Sequence, residues 1–324
     1  MHIPDGYLSP ATCGVFYAAM APVWYFASKR AEKALKLREM PIFALGAAFV
    51  FVIMMFNIPL PGGSSGHMVG GAVVAIALGP WAGIIAMSLA LAIQAFLFGD
   101  GGLLTLAANC FNMAVVMSLS GYVIYRALAF GEPGSKRRFF AAAIAAYVAV
   151  NLAALAAAVE LGIQPALATG PDGRPLYAPY PLSIAVPAMM LPHLVFFGPI
   201  EAIGTALVVN YVHGMERGLL HAGRKGSLKP LWIAMAVLAV LTPVGLIASG
   251  TPWGEWGKDE LINLIGYVPA GMEKYGEIWK GFVPDYSLPR MSGLPEPFVY
   301  MLSALLGSAL LVAAVYAWGR LWRR

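Results

Sequence analysis

Long apolar runs dominate this chain, separated by short loops rich in glycine, proline and basic residues. The runs lie at about 12–28, 41–56, 68–98, 103–128, 139–161, 183–211, 231–248 and 298–318. They are far longer than the roughly 10-residue alternating segments of a membrane barrel, so strands are not expected and each run predicts a helix. Residues 68–98 carry no charge over 31 positions, too many for one ordinary span. That run is read as a hairpin turning at Gly79-Pro80-Trp81-Ala82-Gly83, which brings the predicted total to nine transmembrane helices. The run at 183–211 contains Pro187, Pro192 and Pro199 and is expected to kink.

Charge sets the orientation. Lys29, Arg30, Lys33, Lys36 and Arg38 follow the first run, and Arg126, Lys136, Arg137 and Arg138 flank another loop. Arg217, Arg224, Lys225 and Lys229 form a third group, and Arg320, Arg323 and Arg324 a fourth. Placing these loops in the cytoplasm puts 16 of the 21 basic residues inside and leaves five outside: Arg174, Lys258, Lys274, Lys280 and Arg290. The expected arrangement is an all-α polytopic membrane protein with its N-terminus outside and its C-terminus cytoplasmic. The Gly- and Lys/Arg-rich stretch from His221 to Ser227 reads as a flexible connector. It divides the chain into a seven-helix region, 1–220, a linker, 221–229, and a two-helix region, 230–324, with an outer segment at about 250–297. A fusion of two once-separate chains would look like this.

Composition agrees with a membrane protein: of 324 residues, 60% are hydrophobic and 11% charged, against about 25% charge in a soluble domain. The net charge of +5 is accounted for by topology, so the lipid bilayer is an expected partner and nucleic acid is not. Cys13 and Cys110 stand in separate apolar runs and suggest neither a disulfide framework nor a thiolate metal site. No signal peptide is visible, and Met1 is expected to be retained because His2 is not a small residue.

Candidate chemistry begins at the chain start, Met1-His2-Ile3-Pro4-Asp5-Gly6-Tyr7-Leu8-Ser9-Pro10. The terminal amine, the His2 backbone nitrogen and the His2 imidazole are three nitrogens in succession, able to close two chelate rings. A fourth nitrogen would complete a planar set suited to Ni(II) or Cu(II) rather than to tetrahedral zinc. The alternative is a frayed terminus. His67, in the breaker-rich loop Asn57-Ile58-Pro59 to Gly66-His67, falls on the same outer face by the charge count. Gly62, Gly63 and Gly66 permit close backbone approach there. His213 and His221 are read as solvated. His193 and Glu201, inside a predicted span, are read as structural hydrogen-bonding groups, with a ligand role left open.

The opening ten residues, the Asn57-to-His67 loop, Gly70-Gly71, Gly79-Pro80 and the Gln94-to-Gly102 stretch resemble the CbiM/NikM family. These are the substrate-binding (S) components of energy-coupling factor importers for nickel or cobalt. The resemblance covers about residues 1–220. The remainder is similar in layout to the small NikN-like auxiliary subunit of nickel systems, although the string Pro-Asp-Gly-Leu-Glu is absent. What the resemblance implies is a planar metal site made by the Met1 amine, the His2 amide nitrogen and imidazole, and the His67 imidazole. Asn57, Ser65 and Gln94 are candidates for its supporting contacts. It further implies a multi-pass protein of a bacterial or archaeal plasma membrane with Ni(II), or Co(II), as transported substrate. ATP hydrolysis would belong to separate ATPase subunits and a transmembrane coupling subunit. The chain has no GxxxxGK[ST] loop, so no bound nucleotide is expected.

Two rival functions are distinguishable. A vitamin-binding S component would want an apolar pocket with polar groups such as Asn109, Asn112 and Gln94. An intramembrane metalloenzyme would need an acid/base beside an open metal position. Glu201 is the one carboxylate well inside a predicted span and no HExxH is present, so enzymatic activity is not expected.

Overall fold

The computed structural model describes all residues except 36–38, 62, 132–133, 223–227, 288–292 and 323–324, and the side chains of 215–222 and 322 are likewise outside the description. Lys36, Arg38, Arg290 and most of the linker 221–229 therefore lie outside the described residues.

Helix α1, Pro10–Ala34, begins where Ser9 accepts a hydrogen bond from the Thr12 backbone at 3.2 Å and Pro10 supplies the preset first turn. Helix α2 is Met40–Met54, α3 Gly71–Leu78 and α4 Pro80–Ile93. Then come α5, Leu106–Asn109, α6, Met117–Leu128, α7, Ser135–Gly162, and α8, Gln164–Leu167. The long helices α9, Leu182–Pro192, and α10, Gly198–Ala222, are followed by α11, Lys229–Leu241, and by the short α12, Lys258–Ile265, and α13, Ala270–Tyr275. The last is α14, Glu296–Trp322. Three stretches, Gln94–Phe98, Cys110–Val116 and His193–Phe197, wind as wider π-helical turns that join α4 to its loop, α5 to α6 and α9 to α10. Such turns recur at functional sites because they re-aim side chains.

Among the described residues, six of the resulting rods are long and apolar enough to cross a membrane: 80–98, 106–128, 135–167, 182–214, 229–247 and 296–321. Helix α2 is a shorter apolar helix of 15 residues. The break at Gly79 falls where the sequence places it, and α3 and α4 pack against each other on either side of it. The first limb of this hairpin is only partly helical: α3 has eight residues and rises about 12 Å, and the non-helical residues 68–70 lead into it. Residues 68–70 stay outside the helix because Gly70 has φ +77°, and Glu201 takes the backbone N–H groups of Val69 and Gly70.

A correction concerns strands. Ile58–Leu60 (β1) and Ser64–Gly66 (β2) pair antiparallel, Ile58 opposite Gly66, to form a small hairpin that carries His67. The turn is made by Gly63 at φ +83°. His213 is half-buried rather than solvated, because α10 packs lengthwise against α7.

The core owes its density to small residues. Ala142, Ala145, Ala146, Ala149, Ala153 and Ala157 of α7 are fully buried, letting α6, α9 and α10 approach closely. The second region is not a separate body. Helix α14 packs along α2, and the Trp318 indole donates to Ser28 of α1 at 3.2 Å.

Candidate metal centre

Residues 1–9 do not fray. Met1, His2, Ile3, Asp5, Tyr7 and Leu8 are each at most 6% exposed, and this inserted plug is held by specific bonds. Asn109 accepts from the Ile3 N–H at 2.8 Å and donates to the Ile3 carbonyl at 3.1 Å, pairing with the chain as a strand neighbour would. The Asp5 carboxylate accepts from the N–H groups of Leu103, Leu104 and Thr105, the open amides at the start of α5. Gln164 accepts from Ser9 N–H at 3.0 Å. Gly102 is obligatory, since a Cβ there would meet Asp5 Oδ1 at 1.9 Å.

His67 is positioned from three sides. Its Nδ1 lies 3.1 Å from the Met68 carbonyl. Downstream, Val69 and Gly70 donate to Glu201 at 2.8 and 2.9 Å, so a carboxylate on α10 caps the half-helix α3. Upstream, the hydroxyls of Ser64 and Ser65 donate to the carbonyls of Thr251 and Gly250 in the second region, at 3.3 and 3.0 Å.

These supports bring the two histidines together, with ring centroids 5.2 Å apart and planes inclined by 32°. The Met1 amine is 3.3 Å from Glu255 Oε1, and His2 Nδ1 is 3.2 Å from Asp100 Oδ1. His2 Nε2 is buried with no hydrogen-bond partner. Burial, reinforced by the adjacent Met1 amine, pushes the His2 imidazole down to about 3 and holds that of His67 well below its ordinary value. Both rings are therefore neutral donors at neutral pH, the form in which imidazole ligates metals. Burial raises Glu255 to about 7, against the pull of the Met1 amine and the His2 backbone N–H. Asp100 is also raised by burial, while its bond from the Tyr286 hydroxyl favours the ionised form.

Met1, His2 and His67 thus converge. Of the supporting candidates, Gln94 reaches the site, with Nε2 3.4 Å from Asp100 Oδ2. Asn57 lines the adjoining polar cavity of about 590 Å³ together with His2, His67, Asp100 and Glu255. Ser65 acts on the His67 hairpin through Gly250. His193 Nδ1 donates to the Met189 carbonyl, 2.8 Å away, yet the residue also lines a small cavity of about 20 Å³ with Met1 and His67. Residue-by-residue reading missed Asp100, Glu255, Asn109 and Asp5 as parts of this centre. Asp100 was legible only as an external turn, and Glu255 only as one carboxylate among the outer tryptophans. It also missed Glu160, a second buried carboxylate, which accepts from Asn112 at 2.9 Å. The groups a vitamin pocket would use are engaged within the protein: Asn109 is bonded to the Ile3 backbone, Asn112 to Glu160 and Gln94 to Asp100 and Tyr286.

The profile of CbiM, described as a cobalt uptake substrate-specific transmembrane region, matches residues 2–219. This chain belongs to the CbiM family. A PDGLE domain matches residues 229–324, so the second region carries that domain without the string Pro-Asp-Gly-Leu-Glu itself. The CbiM and PDGLE parts recur together in relatives. The fused nickel transport protein NikMN of Rhodobacter capsulatus is 45% identical over 97% of this chain and 96% of its own length. The probable fused nickel transport protein LarMN of Lactiplantibacillus plantarum is 42% identical, covering 94% and 93%. The cobalt transport protein CbiM of Geobacter sulfurreducens is 31% identical over 81% of this chain and 76% of its length. A crystal structure of a transition metal transporter superposes with a TM-score of 0.63 at 49% identity, covering 68% of this chain and 97% of that one. In this CbiM-family chain the plug and His67 come from the CbiM part, while Glu255 and Tyr286 come from the PDGLE part.

Proposed function

We propose that this chain is the substrate-binding component of a transition-metal importer and that its substrate is Ni(II). The ion would be held in a planar set by the Met1 amine, the His2 amide nitrogen, the His2 imidazole and the His67 imidazole. The observation that carries the reading is the buried meeting of Met1, His2 and His67, with the two rings 5.2 Å apart beside a polar cavity. Four nitrogens in a plane suit Ni(II) by geometry, and the two relatives aligned along nearly the whole chain are named for nickel. Co(II) is the second reading, favoured by the CbiM description and by relatives named for cobalt.

In this reading the ion arrives from outside, sheds water and displaces the amine and amide protons, since every ligand must be deprotonated. The basic loops support a cytoplasmic C-terminus and an external N-terminus in the plasma membrane of a bacterium or archaeon. With no phosphate-binding loop in the chain, ATP hydrolysis belongs to separate ATPase subunits acting through a transmembrane coupling subunit. The relatives' names support transport and not catalysis.

The test is metal binding by the purified chain. One residue added before Met1, or acetylation of its amine, is expected to abolish nickel binding, and His67→Ala likewise. Affinity unchanged by either would overturn the planar site, and competition between Ni(II) and Co(II) on the same protein decides the substrate.

A further inference from the structure

The Met1 amine is closed off by a group that is itself a metal ligand. Glu255 sits 3.3 Å from that amine, and Asp100 sits 3.2 Å from His2 Nδ1. One ligand atom from each of His2, Asp100 and Glu255 fits within 4.8 Å of the others. On the same ring, His2 Nε2 is buried without a partner. All three residues line the cavity of about 590 Å³ that runs out between the two regions, with half-exposed Glu277 and Lys258 among its outer residues. Six carboxylate residues line this cavity against a single lysine, so its field draws cations inward.

We propose that Asp100 and Glu255, with the His2 imidazole, form a waiting site in which an incoming divalent cation is held through oxygen before it enters the nitrogen set. This rests on the planar-site reading above. Two carboxylates and one imidazole make a ligand set that first-row divalent ions accept while keeping part of their water shell. The sequence of contacts follows from charge. A dication between Asp100 and Glu255 replaces the ammonium as the partner of Glu255, and the carboxylate leaves the amine. The amine is thereby uncovered on the side from which the ion approaches. Glu255 thereby acts both as a cap on the empty plug and as the first protein ligand met from the cavity. It also gives the second region a chemical part in loading, because the waiting site is incomplete without it.

The experiment uses the full-length chain in lipid nanodiscs with Mn(II), a hard ion that binds oxygen and imidazole and competes poorly for amide nitrogen. Electron paramagnetic resonance is expected to show one bound Mn(II) in the unmodified chain and in His67→Ala, which lacks the nitrogen set. Asp100→Asn and Glu255→Gln are each expected to weaken Mn(II) binding, and to slow nickel loading followed by stopped-flow absorbance, by about tenfold or more. Asp100→Glu and Glu255→Asp, which keep a carboxylate, should recover most of both and so exclude misfolding. Absence of Mn(II) binding in the unmodified chain, or its persistence in the double Asn/Gln variant, overturns the waiting site. Failure of the planar-site reading looks different: nickel affinity would then survive His67→Ala while the Mn(II) results stood unchanged.

Discussion

Asn109 holds Ile3 by both its carbonyl and its amino group, and this clasp fixes the residue next to His2. Truncation to alanine leaves the buried Ile3 N–H without its acceptor, while the Ile3 carbonyl keeps Gly102 and Thr105, at a cost of about 1–3 kcal/mol. Asn109→Ala is therefore expected to weaken nickel binding by about tenfold or more, read by calorimetry, with the helical content unchanged. The depressed imidazoles set the pH behaviour. His2 takes up a proton only near pH 3, so its imidazole stays a neutral donor from there to neutrality. Affinity should fall with falling pH by about tenfold per unit for each proton released. Glu255, beside the Met1 nitrogen, is raised to about 7, so any inflection near neutrality should be lost in Glu255→Gln, and titration calorimetry across buffers checks both points. His2 and His67 were legible in the sequence because the chain has only five histidines and the charge count put these two on one face. Glu255 was not, since nothing local distinguishes a carboxylate 254 positions from its partner.

At the scale of the element, the decisive piece is the half-helix α3. The amides of Val69 and Gly70, just ahead of it, would be orphaned inside the bundle, where no water replaces a missing acceptor. Glu201 resolves this from α10, and in doing so ties α10 to the segment just after His67. Glu201→Leu strips two buried N–H groups of their acceptor and is expected to cost about 2–4 kcal/mol of stability, measured by unfolding in detergent, with nickel affinity falling in parallel. The sequence showed the break at Gly79 and an intramembrane Glu201, but not that Glu201 holds the backbone at the opposite end of α3. Periodicity marks the break without telling how few residues before it are helical, because the whole run is uncharged and apolar. The hairpin β1–β2 was hidden for a related reason: three-residue strands fall below any pattern length, and their pairing depends on a turn that reads only as breaker-rich.

For the whole molecule, the PDGLE part forms a roof over the plug. Tyr7 donates to the Trp256 carbonyl at 3.0 Å, and the N–H of Val283 bonds Leu97 O at 2.8 Å. Tyr286 stacks on Phe98 with centroids 4.5 Å apart. Gly6 adopts φ +87° directly under this roof, where a Cβ would meet the Met272 backbone at 2.7 Å. Removal of 229–324 is expected to leave the CbiM part folded by circular dichroism and to reduce nickel uptake in cells, with recovery when 229–324 is supplied as a second chain. The two-part layout was legible from the basic linker, whereas the docking of roof on plug rests on backbone contacts between distant segments that leave no sequence pattern.

The buried amine has one more consequence, which concerns how the protein is born. Met1 is buried, and its amine sits 3.3 Å from Glu255 Oε1. In a cell that begins its chains with formylmethionine, the nascent protein carries an amide where the planar site requires a free amine. If the proposed planar site holds the ion, such a chain inserts and folds yet binds no nickel, and removal of a single formyl group becomes the step that switches the transporter on.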